Sequence, residues 1–332
     1  MKKSDVVRII FRGNVPQQPP HTTGLAFAPT NIALCKYWGK RDTELNLPMT
    51  SSLSVALPDK GTMTSVTLCS QSCDRVIVND KEQQQESVLV KRVIEFLDLF
   101  RFEKKWYLQI DIKVNIPIAA GLASSASGFA SLVLALNNLF NWQLSTRDLS
   151  ILARLGSGSA ARSFWLGFVE WHAGVQSDGM DSFSEPLDIE WLQLCMGLLT
   201  LDASEKAISS REAMQRTVNS SVLYGSWAKK VAQDLAIIKQ ALKVKNFSLL
   251  GGIAESNALA MHATMLSSWP PICYFLPETI AAMHQVWRLR RDGLELYFTQ
   301  DAGPNLKLLF LERDCDRIKT EFPKMEMVRI FS

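Results

Sequence analysis

Residues 108–136, LQIDIKVNIPIAAGLASSASGFASLVLAL, carry two hydrophobic periods joined by a run of small residues. Leu108, Ile110, Ile112 and Val114 alternate with polar residues, a period of two that predicts a strand. Phe129, Leu132, Val133 and Leu136 recur at three and four, which predicts a helix with one apolar face. Pro117 limits the strand. The intervening AAGLASSASG keeps side chains small, so successive backbone N–H groups can face an anion. The first helical turn adds its own free donors and the positive end of the dipole. Ser124, Ser125 and Ser127 offer hydroxyls to a phosphate or to magnesium. The pattern is not GxxxxGK[ST]. Taken alone, it describes a tight helix entrance as well as it describes a phosphate cradle.

Outward from this segment, residues 63–79 hold two β-prone runs separated by a polar turn, and ESVLVKRVIEFLDLF has helical spacing. Residues 175–186, VQSDGMDSFSEP, are polar and turn-rich. They separate an N-terminal lobe, 1–185, from a C-terminal lobe, 186–332. In the second lobe LQLCMGLLTL reads as a buried strand. Long helical patterns follow around 211–242 and 253–267, with the glycine pair 251–252 between them, and another at 279–291. GLELYF leads into TQDAGPN, then the apolar run LKLLFL. Strands and helices mix without a regular βαβ cadence, and no GxGxxG follows an early strand. The expected class is therefore α+β with two lobes, not a barrel or a doubly wound dinucleotide fold.

The 332 residues are 47% hydrophobic and 21% charged, which excludes a disordered chain and provides for a large core. Thirty-six basic against 33 acidic residues leave a formal charge of +3, too slight to mark a nucleic-acid binder. That balance suits a local basic pocket for an anionic small molecule. No window approaches 18 uninterrupted apolar residues, and the first 20 make a poor signal peptide, so no membrane partner and a cytoplasmic location are expected. The six cysteines and four histidines lack zinc-site spacing. A magnesium ion carried by a nucleotide needs few protein ligands and stays open.

A second small loop, GSGSAARS, runs from Gly156 through Ser157, Gly158 and Ser159 to Arg162, whose fork of donors suits a carboxylate or phosphate. Two permissive loops, one followed by a fixed cation, point to two anionic regions. NIALCKYWGKRD sets Lys36, Lys40 and Arg41 beside Tyr37 and Trp38. Asp301 follows an apolar strand that can carry it inward, although an aspartate there also suits a turn cap. Ser209 and Ser210, with Glu205 and Lys206, stand at a strand-to-helix transition, another anion contact.

Together these pieces resemble the diphosphomevalonate decarboxylase (mevalonate diphosphate decarboxylase) family of the GHMP kinase superfamily. The matching stretches are NIALCKYWGKRD, LPMTSSLSVAL, IPIAAGLASSASGFA, RLGSGSAARSFWLGFVEW and DAGPN, with a weaker match at SNALAMHATMLSSWPPICY. They span about residues 31 to 305. The resemblance implies a two-lobe GHMP kinase-like fold with the active site in the cleft, a homodimer, and ATP with Mg²⁺ as cofactors. It implies phosphorylation of mevalonate 5-diphosphate on its tertiary 3-hydroxyl, then loss of phosphate and CO₂ to give isopentenyl diphosphate. Asp301 falls on the family's catalytic aspartate, Arg162 on the arginine facing the substrate carboxylate and Lys36 on the lysine near the reacting centre. Tyr37, Lys40, Ser157, Gly158, Ser159, Ser209 and Ser210 fall on substrate contacts. Gly121, Leu122, Ala123, Ser124, Ser125, Ala126 and Ser127 fall in the ATP-phosphate loop, with Ser124 the metal-facing hydroxyl.

The chain also departs from the family. Ala161 stands where GSGSACRS has cysteine, and Leu166 replaces a common glycine. The S-S/T-x-G-M segment becomes Ser209, Ser210, Arg211, Glu212, Ala213 and Met214, which is expected to add an Arg211–Glu212 charge pair. KVN before Ile116 replaces the more usual ENN. These changes keep open an alternative, a related kinase or decarboxylase acting on mevalonate or a monophosphate.

Overall fold

The computed structural model describes residues 1–331 apart from 102–105, 117–123 and 205–207; for Ser124 the backbone alone is described. In the first lobe, helices α1 (Lys3–Ile10), α2 (Val88–Leu97), α3 (Ser124–Phe140) and α4 (Thr146–Gly156) accompany a seven-stranded sheet. Strand Ser52–Leu68 is its spine. It pairs antiparallel with Thr23–Cys35 along most of its length, with Leu108–Val114 at one end and with Phe168–Trp171 at the other. Arg75–Val78 pairs parallel to Leu108–Val114. Apolar residues of α2, α3 and α4 close one core with this sheet, including Val93, Phe96, Leu132, Leu136 and Leu152.

The second lobe is a four-stranded antiparallel sheet, in the order Tyr297–Gln300, Leu306–Leu311, Leu194–Leu199, Glu326–Arg329. It is covered by α5 (Ser210–Ser220), α6 (Trp227–Lys243), α7 (Phe247–Leu266), α8 (Pro277–Arg291) and α9 (Cys315–Glu321). A shared core joins the lobes. Ile32, Leu34, Leu53 and Val55 of the first sheet pack in one cluster with Leu194, Met196, Ile238 and Ala254 of the second lobe. The end of strand Thr23–Cys35, and thus Lys36, is fixed from both sides.

The predicted strand 108–114 and the helices at 88–97 and 124–140 form as the periodicity dictates. The region 211–242 is instead two helices. Between them the turn Tyr224–Ser226 forms, and the Tyr224 hydroxyl donates to the Trp38 carbonyl at 3.1 Å, a tertiary contact no local pattern announces. The glycine pair 251–252 does not break the chain but lies inside α7. A Cβ on Gly251 would stand 2.3 Å from the Tyr297 ring, so glycine there permits close helix-to-strand approach. The helix boundary falls earlier, where Lys245 takes a positive φ and the Asn246 side chain caps α7. Gly251→Ala should therefore lower stability by about 1–3 kcal/mol through overpacking, read as a reduced Tm in thermal unfolding. GLELYF forms its strand later than predicted, from Tyr297, with Leu294 and Leu296 buried ahead of it.

Candidate active site

Strand Tyr297–Gln300 delivers Asp301 to the end of strand Thr23–Cys35, where Thr299 Oγ1 donates to the Ala33 carbonyl. The turn after it is shaped by Gln300, whose amide donates to the Gly303 carbonyl at 2.8 Å. Lys36, only 2% exposed, donates through Nζ to Asp301 Oδ1 at 2.8 Å and to the Ala33 carbonyl at 2.8 Å. Lys307, equally buried, lies 3.4 Å from Asp301 Oδ2. One carboxylate thus faces two buried ammonium groups yet stays 29% exposed, open to an incoming ligand. Burial pushes the Lys36 ammonium down from its ordinary value, and its interaction with Asp301 opposes that shift. Ion pairing favours the charged form of both partners.

The second lobe holds this pair. Asn257 of α7 accepts the Lys36 backbone N–H at 2.8 Å and donates to Asp234 of α6 at 2.8 Å, and Asp234 is paired with Lys230. His262, one turn further along α7, lies 3.1 Å from the Asp301 carbonyl and stacks on Phe275. Burial, and then the nearby Lys36 charge, push its pKa down to about 3, so the imidazole is neutral. Its Nε2 faces an acceptor and must carry the proton, leaving Nδ1 bare.

Arg162 ends the short 3-10 turn Gly158–Arg162 that follows α4. Its Nε donates to Asn31 Oδ1 at 3.2 Å and its Nη1 to the Ser52 hydroxyl, leaving Nη2 without a protein acceptor among the described residues. Asn31 is braced in turn by donating to Ser163 Oγ at 2.7 Å. Burial lowers the guanidinium to about 10, with Asp301 the largest opposing charge, so it stays protonated at neutral pH. Tyr37 packs edge-on against Trp171, and its buried hydroxyl has no hydrogen-bond partner among the described residues. A Cβ on Gly158 would sit 2.8 Å from that hydroxyl, so glycine keeps the phenol and the second loop in close approach. The Ser157 hydroxyl is 3.4 Å from those of both Ser125 and Ser159, which brings the two serine-rich segments together.

A cavity of about 460 Å³ has a lining that includes Lys3, Lys40, Asn46, Ser209, Arg211 and Glu212, and the charges of Arg162 and Arg211 both act on Tyr37. Lys40 donates to Asn46 Oδ1 at 2.7 Å. Burial, followed by Arg211, Lys3 and Arg92, pushes its pKa down to about 8. None of these four cations has a side-chain ion pair among the described residues. One carboxylate, Glu212, also lines the cavity, but it is paired with Arg216, so the cations gathered here outnumber the acids, as suits a polyanion. The expected Arg211–Glu212 pair does not form: Glu212 pairs one turn on with Arg216 at 2.9 Å, and Arg211 faces the cavity. Adjacent residues on a helix do not face each other. If Lys40 is the ammonium that receives a diphosphate, affinity should be full below about pH 8 and fall as pH rises through it. Titration calorimetry across pH 7–9.5 reads this, and Lys40→Arg should flatten the fall.

Of the residues marked in the sequence, Asp301, Lys36 and Arg162 meet at one centre, with Tyr37, Ser157, Gly158 and Ser159 beside Arg162. Ser209 lines the cavity while its hydroxyl caps α5 by accepting the Glu212 N–H; Ser210 begins that helix. Ser125 and Ala126 stand in the first turn of α3, and Ser127 turns inward to share a hydrogen bond of 2.7 Å with Thr62. Gly121, Leu122, Ala123, Glu205, Lys206 and the Ser124 hydroxyl lie outside the described residues. Sequence reasoning missed Lys307, His262, Asn257 and the cavity-facing role of Arg211. A lysine inside the apolar run LKLLFL, directly after DAGPN, was the one local signal for the first of these.

An acid between two lysines, an arginine with an open edge and a cation-lined cavity define an enzyme of small phosphorylated carboxylates on a GHMP kinase fold. Residues 28–184 match the family described as diphosphomevalonate decarboxylase-like N-terminal domain, and residues 198–327 the mevalonate 5-diphosphate decarboxylase C-terminal domain. The chain belongs to the diphosphomevalonate decarboxylase family. It is 38% identical over 312 residues to diphosphomevalonate decarboxylase mvd1 of Aspergillus fumigatus, covering 87% of this chain and 77% of that protein. Mevalonate diphosphate decarboxylase from Staphylococcus aureus superimposes with a TM-score of 0.88 at 38% identity, covering 94% and 96% of the two chains. A related structure in complex with MVAPP, AMPPCP and magnesium gives a TM-score of 0.87 at 41% identity, covering 93% and 96%.

Proposed function

We propose that the protein catalyses ATP-dependent decarboxylation of mevalonate 5-diphosphate to isopentenyl diphosphate, releasing ADP, phosphate and CO₂. The observation that carries this reading is the Asp301 carboxylate, clamped by Lys36 and Lys307 yet open, with the Arg162 guanidinium beside it and a cation-lined cavity adjoining. The 3-hydroxyl of the substrate belongs at Asp301, which accepts its proton or holds it in line for transfer. Lys36 stabilises the negative charge that builds on the transferred group. Arg162 holds the carboxylate through its open edge, so that the bond to be broken lies opposite the departing phosphate. As that C–O bond breaks, electrons of the C–C bond form the alkene and the carboxylate leaves as CO₂. The Arg162 contact must not hold the ground state too tightly, because a bound anion resists losing its charge.

The diphosphate tail belongs in the cavity, where Lys40 and Arg211 supply charge. The donor set also suits a nucleotide: a 17-residue helix begins with small residues, and we assign the N–H groups of its first turn, together with residues 121–127, to the ATP phosphates. Among the described residues no three acidic, histidine or cysteine side chains converge as a metal site, so Mg²⁺ would be held by the phosphates with Ser124. Bound nucleotide and Mg²⁺ supply the phosphoryl group and offset its charge. The structure of a relative with MVAPP, AMPPCP and magnesium supports this choice of ligands.

We place the lobe boundary at 185/186, supported by the two family matches that end at 184 and begin at 198. We also propose a homodimer, which sedimentation equilibrium tests. The described chain has no helix long and apolar enough to cross a membrane. Six free thiols support a reducing cytoplasmic setting. A substrate panel of mevalonate, its 5-phosphate and its 5-diphosphate tests the function. The cation-lined cavity calls for kcat/KM at least about 10²-fold higher for the diphosphate; equal rates on mevalonate itself would defeat the reading.

A further inference from the structure

Helix α1 lies ahead of residue 28, where the family match begins. It is no loose tail. Val6 and Val7 are fully buried, Phe11 packs edge-on against Trp142 with ring centroids 4.9 Å apart, and Gln17 donates to the Phe100 carbonyl at 2.9 Å. The anchored helix carries Lys3, at its first position, to the cavity that Lys40 and Arg211 also line. Carboxylates stand near it without forming an ion pair: Glu44 accepts the Lys3 backbone N–H at 3.5 Å, Glu212 shares the cavity lining but is paired with Arg216, and no side-chain ion pair to Lys3 forms among the described residues. Burial and the charges of Arg211 and Arg92 disfavour its ammonium form, with Glu44 and Glu95 opposing. A cation set this way gains when an anion enters.

We propose that Lys3, brought in by the N-terminal helix, is an additional phosphate-binding residue of this cavity that strengthens recognition of a polyphosphate group. The inference rests on the reading of the cavity given above. The group is the diphosphate of the substrate or the triphosphate of the nucleotide, and the chemistry at Lys3 is the same for both. Lys3 takes no part in bond making. It sits outside the family motifs, so this chain carries a determinant of ligand affinity that those motifs do not contain.

The test is titration calorimetry on full-length Lys3→Ala, Lys3→Glu and Lys3→Arg proteins. Mevalonate 5-diphosphate, mevalonate 5-phosphate and Mg²⁺–AMPPCP are titrated separately, each at low and high salt. For at least one polyphosphate, Lys3→Ala should raise Kd about fivefold, Lys3→Glu more, and Lys3→Arg less than twofold, with the differences shrinking at high salt. The monophosphate should lose less. The arm that weakens, diphosphate or nucleotide, names the source. Lys2→Ala, at an exposed neighbour, controls for general charge, and unchanged Tm separates ligand binding from loss of the helix. Unchanged Kd for both polyphosphates in Lys3→Ala and Lys3→Glu overturns the inference, as does a loss reproduced by Lys2→Ala. Lys40→Ala and Arg211→Ala keep the two readings apart. If they weaken binding and Lys3→Ala does not, only the Lys3 inference fails; if none of the three does, the cavity assignment itself fails.

Discussion

Asp301→Asn is expected to lower turnover by about 10³-fold or more while binding of nucleotide and substrate changes far less. The amide keeps the size of the side chain but neither accepts the hydroxyl proton nor balances the two ammonium groups at 2.8 and 3.4 Å. Lys36 and Lys307 then face one another in a buried site without their shared counter-charge. The burial that already pushes Lys36 down then acts without the Asp301 charge that opposes it, so its ammonium form is disfavoured further. Two readouts separate chemistry from structure. Single-turnover rates should collapse, and the Tm should drop modestly, with the drop shrinking as pH rises and Lys36 discharges. The sign follows from the lowered Lys36: an uncompensated buried ammonium destabilises most at low pH and least once deprotonated. Near-normal product formation by this variant would remove Asp301 from the mechanism.

Arg162→Gln should cost about 10²- to 10³-fold in kcat/KM, with most of the loss in kcat. The guanidinium is held by Asn31 and Ser52, so its open edge has one orientation, and a glutamine amide matches neither the charge nor the fork. If the carboxylate is misaligned after phosphoryl transfer, phosphorylated intermediate should accumulate and ADP should appear ahead of CO₂. Rapid-quench measurement of ADP and CO₂ in one reaction resolves this. Equal lag-free release of both, at the normal rate, would show that Arg162 does not orient the carboxylate.

Elements whose signal is local were legible in the sequence. The alternation in 108–114 and the helical spacing after Gly128 produced a strand and helix where predicted, and DAGPN sits at a strand end as its neighbours imply. Lys36, Tyr37, Arg162 and Asp301 were legible because short, spaced motifs carry them. What escaped was set by contacts across the chain. His262 and Asn257 are unremarkable on α7 until the lobes close and bring them to Asp301 and Lys36. Lys307 is a lone cation in an apolar strand, buried because Asp301 waits beside it. The break between α5 and α6 follows from Tyr224 reaching Trp38, and Gly251 remains helical because Tyr297 presses on it. Arg211 looked like half of a new charge pair; helix geometry gave Glu212 to Arg216 and Arg211 to the cavity.

The central claim is that one site couples phosphoryl transfer to decarboxylation. The most direct measurement follows mevalonate 5-diphosphate labelled at its carboxyl carbon through a reaction with ATP and Mg²⁺, quantifying ADP, inorganic phosphate and CO₂ together. The account predicts all three in equal amounts, with isopentenyl diphosphate as the remaining product and none of them formed at an appreciable rate by Asp301→Asn. ADP appearing alone, with the label retained in a stable phosphorylated product, would contradict it and make the protein a kinase.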